Sequence, residues 1–103
     1  MNTPTLIQNA AVEVAALRLE IAEWEHSLKV HEASATIKIS DDKRFKNAES
    51  RAAAVTLYLA NDADYQEETQ KISALRQTLA TAEATWQYHK DCLRIEVAQI
   101  KGE

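Results

Sequence analysis

A chain of 103 residues with 46% apolar and 27% charged side chains has the length and composition of one globular domain. Its single Gly and single Pro exclude a turn-rich β architecture, and its few aromatic residues leave Ala, Leu, Glu and Lys/Arg to build long helices. A net charge of −4 disfavours a general polyanion binder, and no apolar run approaches the roughly 20 residues that span a bilayer.

The opening Met1-Asn2-Thr3-Pro4 lacks the basic start and apolar stretch of a signal peptide. Cys92 is the only cysteine, which fits a reducing cytoplasm, and its acidic neighbours Asp91 and Glu83 disfavour a reactive thiolate. A cytoplasmic chain with no membrane segment is the expectation.

Thr3-Pro4 reads as a helix start, a hydroxyl cap followed by a Pro whose missing N–H costs nothing there. Ile7, Val14, Ile21, Leu28 and Ala35 then recur every seventh residue, with Ala10, Leu17, Trp24 and His31 three positions on. This is the a/d seam of a coiled-coil strand and predicts a first helix over about residues 4–36. Ser34 to Ser40 alternates β-branched and polar residues, which predicts a fraying end and an extended connection.

Ser40, Asp41 and Asp42 offer caps for a second helix over about 41–60, with Phe45, Ala48, Ala52, Val55 and Leu59 as its apolar stripe. Asp64 with Glu67 suggests a capping box opening a third helix over about 63–101, stopped by Gly102. In it Tyr65, Ile72, Leu79, Trp86, Leu93 and Ile100 repeat every seventh residue, with Leu75 and Ala82 between.

Two long seams bury each other when paired antiparallel, with Leu28 by Ile72, Ile21 by Leu79, Val14 by Trp86 and Ile7 by Leu93. The expected fold is therefore all-α: one domain, a long antiparallel two-helix coiled-coil hairpin with a shorter helix at its closed end. Val12, Leu19, Leu57, Ile95 and Val97 fall outside the seams without an obvious partner. Thin cores are marginal, so a homodimer resembling a four-helix bundle is expected.

Chemistry finds little purchase. Glu23 and His26 have the Glu-x-x-His spacing of di-iron bundles, but Trp24 holds the seam, so both point outward, and no second copy exists. His31 and His89 lie on the seams about 30 Å apart along the axis and read as seam residues. Trp24 and Trp86 read as core. No Gly-rich loop, nucleophile elbow or cysteine pair is present, so no catalytic, cofactor or metal residue is expected and the chain is read as non-enzymatic. The remaining feature is charge. Residues 38–51 carry Lys38, Lys43, Arg44, Lys46 and Arg51 against three acids, between two segments of net −3. Lys43, Arg44, Lys46 and Arg51 are the candidate contacts to an anion or nucleic acid at the hairpin tip.

Lys46-Asn47-Ala48-Glu49-Ser50-Arg51-Ala52-Ala53, then Asn61-Asp62-Ala63-Asp64-Tyr65, then a long helix through Trp86-Gln87-Tyr88-His89, resembles small helical-hairpin proteins of bacteriophages and prophages. The resemblance covers about residues 40–95. It brings no catalytic residues; it implies a family mostly of unknown function, some of whose members lie in replication and recombination modules near single-stranded DNA. The expectations are therefore an interaction or oligomerisation module with an unidentified protein partner, and as alternative an accessory protein binding single-stranded nucleic acid through the tip. The motif Asn47 to Arg51 is expected to act as a joint, with Ala48 and Ala52 close against a neighbouring helix.

Overall fold

The computed structural model describes residues 2–102. They form an all-α helical hairpin of three helices, α1 (Thr3–Ser40), α2 (Ala48–Ala60) and α3 (Ala63–Gly102), with no strand among the described residues. The chain divides into two compact units: Met1–Ile21 with Leu75–Glu103, and Ala22–Ala74.

In the first unit α1 and α3 run antiparallel. Thr3 Oγ1 donates to Glu96 Oε1 at 3.1 Å, and Arg18 lies 3.9 Å from Glu83. Both pairs keep the expected register, in which residue numbers across the seam add up to about 100. Ala10, Val14, Ile21 and Ala82 are buried, and Ile7, Leu17, Leu75, Leu79, Trp86, His89 and Leu93 are half-buried. The seam stops short of Ile100, which is 74% exposed.

Thr3 is itself helical, and Leu6 N–H donates to the Asn2 carbonyl, so the first turn closes one residue earlier than a Thr3 cap requires. The Thr3 hydroxyl is left to reach across to Glu96.

In the second unit α1 and α3 are also antiparallel. Ser27 Oγ donates to Glu68 Oε1 and Tyr65 Oη donates to Glu32 Oε1, both at 2.9 Å. Here α1 departs from expectation by running on to Ser40. Two hydroxyls that compete with helix in an isolated peptide instead bond backward along it: Thr36 Oγ1 to the Glu32 carbonyl and Ser40 Oγ to the Ile37 carbonyl, each at 2.8 Å. Burial of Ala35, at 0% exposure, and Lys38 Nζ donating to Tyr58 Oη anchor this last stretch against the rest of the unit. Tertiary contact outweighs a propensity deficit of a few tenths of a kcal/mol, roughly, per β-branched residue.

Helix α2 is correspondingly shorter than expected, 13 residues beginning at Ala48. Ser40 belongs to α1, and Asp42 is committed elsewhere: its carboxylate accepts from Arg44 N at 3.0 Å and from the Arg44 guanidinium, forming a turn that keeps the chain out of helix. The cap is Asn47, extended at φ −128° and ψ 165°, whose side chain accepts from Ser50 N at 2.7 Å. Ser50 Oγ returns to the Asn47 backbone N–H, closing a capping box.

The start of α3 is corrected in the same way. Asp62 Oδ1 accepts from Asp64 N and Tyr65 N, so Asp62 is the cap. Asp64 sits within the first turn, where its charge still favours the helix dipole. Gly102 is the last residue of α3 rather than a stop beyond it.

Candidate interaction surface

The structure places the four basic candidates on residues 43–51, between α1 and the first turn of α2, but gives two of them internal duties. Arg44 grips Asp42, Nη2 to Oδ2 at 2.6 Å, and this hydrogen bond holds the Asp42 carboxyl down at about 2. Arg44 also stacks over Phe45, 5.5 Å from the ring centre. Arg51 donates to the carbonyls of Phe45 at 3.3 Å and Lys46 at 3.2 Å. It splints the loop through these two carbonyls while its side chain remains exposed. Lys43 and Lys46 are exposed and make no ion pair among the described residues. What looked in the sequence like a four-charge cluster is two available lysines beside two structural arginines.

The motif from Asn47 to Arg51 holds the capping box of α2 and the two Arg51 bonds to the loop carbonyls. The expectation for its alanines fails. Ala48 and Ala52 are exposed and border a cleft of about 480 Å³ with Thr36 and Ser40, and the buried residue of α2 is Leu59, at the other end. On its opposite side α2 borders a cleft of about 840 Å³, with Ile39, Phe45, Leu57 and Tyr58 on its walls.

The seam histidines have ordinary partners. His31 Nε2 lies 3.4 Å from Glu68 Oε2, and its ring meets Tyr65 edge-on at 6.4 Å. His89 packs edge-on to Tyr88 at 5.6 Å. Each seam tryptophan carries a lysine: Lys71 is 4.3 Å from the Trp24 ring centre and Lys90 4.0 Å from that of Trp86. Cys92 is a free thiol, half-buried, and engages the Tyr88 hydroxyl, which raises the Tyr88 pKa. No group of three His, Cys, Asp or Glu gathers at metal-binding distance among the described residues.

The feature that sequence reasoning only half found lies on the back of α1. Val12, Leu19, Val30 and Ile37 are each more than half exposed, at 64%, 63%, 56% and 62%. In the first unit Val12 and Leu19, seven residues apart, share the side of α1 opposite the seam, and in the second unit Val30 and Ile37, also seven apart, do the same. In the sequence Val12 and Leu19 stand out as unpartnered, whereas Val30 and Ile37 escape notice because the eleven-residue step breaks a strict heptad. On α3, Tyr88 at 64% and Ile95 at 55% form a shorter pair, also opposite its seam.

No known protein family, curated protein or solved structure matches the chain. No helix among the described residues is long and apolar enough to cross a membrane.

Proposed function

We propose that this protein is a non-enzymatic, self-associating helical module that dimerises through apolar residues its own hairpin leaves uncovered. The second apolar stripe of α1 carries the reading. Val12 with Leu19 in one unit and Val30 with Ile37 in the other are large aliphatic pairs bare on the side opposite the seam, and such a row is an interaction surface by default, whereas scattered ones need no explanation. The seam faces cannot accept a partner, since each is occupied by the other helix. A cytoplasmic setting accords with the single cysteine. The proposal is compatible with the resemblance of residues 40–95 to phage-type helical hairpins, which assigns no site.

Molar mass by light scattering behind a sizing column, over a wide range of protein concentration, tests the reading. A species of about twice 11.6 kDa is the expected result; a monomer at every concentration overturns it. The same column run with a single-stranded DNA oligonucleotide tests the alternative. A complex that dissolves as salt rises would transfer the role to Lys43 and Lys46 at the tip, because phosphate contacts weaken steeply with salt and an aliphatic interface does not.

A further inference from the structure

We infer that the cleft of about 840 Å³ beside α2 docks an acidic amphipathic helix of a partner protein, which seats its apolar side chains in the cleft and sets its carboxylates against the lysines around it. The cleft lies wholly within the second unit and uses none of the residues proposed above for self-association.

Three segments build it. The end of α1 contributes Ile39, the loop contributes Phe45, and α2 contributes Ala53, Ala54, Leu57 and Tyr58. The four α2 positions share one helix face, where two alanines leave room between larger side chains. Its volume falls within the roughly 300–1,000 Å³ of ligand pockets, which admits more than one large apolar side chain. Leu57, on its wall, is 65% exposed, so the unit does not fill the cleft itself.

Charge selects the occupant. Both aromatic walls already carry a cation: Arg44 lies 5.5 Å from the Phe45 ring centre, and Lys38 lies 5.5 Å from that of Tyr58 while donating to its hydroxyl. Lys43 and Lys46 bracket Arg44-Phe45 in the chain, exposed and without an ion pair among the described residues. The nearby carboxylates are spent inward. Asp42 accepts from Arg44, and Asp62 accepts from the backbone at the start of α3. Asp41 and Glu49 are the remaining acids of residues 38–51, and Glu49 sits in the first turn of α2, where it favours the helix dipole. Lys38, Lys43 and Lys46 are therefore left to meet carboxylates from outside. On either side of residues 38–51 the chain is net −3, so an acidic partner is attracted here and repelled elsewhere. A helix laid in a groove anchors through side chains three and four apart and keeps its other positions for charge.

The test is fluorescence anisotropy on the full chain with a fluorescein-labelled, end-capped peptide about four helical turns long, with Leu at positions three and four apart and Glu at the outward ones. A control peptide carries Lys in place of every Glu. Saturable binding of the Glu peptide and none of the Lys peptide is expected. Leu57→Asp, and separately Lys43→Glu with Lys46→Glu, should each weaken binding by about tenfold or more. All three side chains are exposed, and should Leu57→Asp lower the melting temperature, the lysine double variant still decides. Failure of the Glu peptide to bind, equal binding of both peptides, or affinity untouched by the variants would overturn the inference. So would loss of self-association in Leu57→Asp by light scattering, which would give the cleft to a second copy. Displacement of the peptide by an oligothymidylate would give the lysines to phosphate and overturn it as well.

Discussion

His31 and Glu68 face each other across the hairpin seam, with imidazole Nε2 3.4 Å from carboxylate Oε2, at positions where a coiled coil ordinarily places aliphatic side chains. Glu68 Oε1 is satisfied by Ser27, but Oε2 is shielded from solvent and receives no aligned hydrogen bond. Polar residues at such positions specify pairing at a cost in stability. Replacing both partners, His31→Leu with Glu68→Leu, should therefore raise the melting temperature, by several degrees if the gain is about 1 kcal/mol. A lower melting temperature in thermal circular dichroism would show that the polar layer is a net stabiliser.

Arg51 is expected to matter for stability and not for charge. Removing its side chain frees the Phe45 and Lys46 carbonyls that it holds, and the α1–α2 loop loses its splint. Arg51→Ala should cost about 0.5–1.5 kcal/mol in urea unfolding, a modest loss because the bonds are exposed. Lys43→Ala, at a side chain with no hydrogen-bond or ion-pair partner among the described residues, should stay within about 0.5 kcal/mol.

Two hydrogen-bonded pairs set pH limits of opposite sign. The Arg44 hydrogen bond lowers the Asp42 pKa from 3.8 to about 2, so its stabilisation is complete above the unfolded value and fades as pH falls toward about 2. The bond to Glu32 raises the Tyr65 pKa above 10.0, so its stabilisation is present below pH 10 and is lost as pH rises through the folded value. The difference in urea midpoint between the parent and Asp42→Asn should shrink in acid, and that between the parent and Tyr65→Phe should shrink in alkali. Differences that stay constant with pH would assign the bonds no titrating role.

Val12 and Val14 are the same residue type on opposite sides of α1, 64% and 1% exposed. Val14→Ala leaves a void in the seam and should cost about 1–3 kcal/mol. Val12→Ala should be within about 0.5 kcal/mol of the parent when unfolding is followed at high dilution, where the chain is alone. At high concentration Val12→Ala should weaken association instead. Equal costs at high dilution would mean that the back of α1 is packed within the chain.

Much of this molecule was legible in the heptads. Nine seam positions of α1, from Ile7 to Ala35, are buried or half-buried as the periodicity requires, and the antiparallel register emerges at Thr3–Glu96 and Arg18–Glu83. The basic tip was legible only as composition. Charge on Arg44 and Arg51 is visible in a sequence, but their engagement by Asp42 and by the Phe45 and Lys46 carbonyls depends on how the loop folds back.

Hydrophobic period is a local property carried by each helix, so the sequence by itself determined the all-α class, the two seams and their pairing. Where helices begin and end was a tertiary decision. Ser40, Asp42, Asn47, Asp62 and Asp64 are all competent caps, and which of them caps depends on which carboxylate or hydroxyl another group has already claimed. The exposure of the back of α1 was settled the same way. A stripe of Val and Leu reads alike whether covered or bare, and only the position of the other helices shows that α1 is left bare on that side.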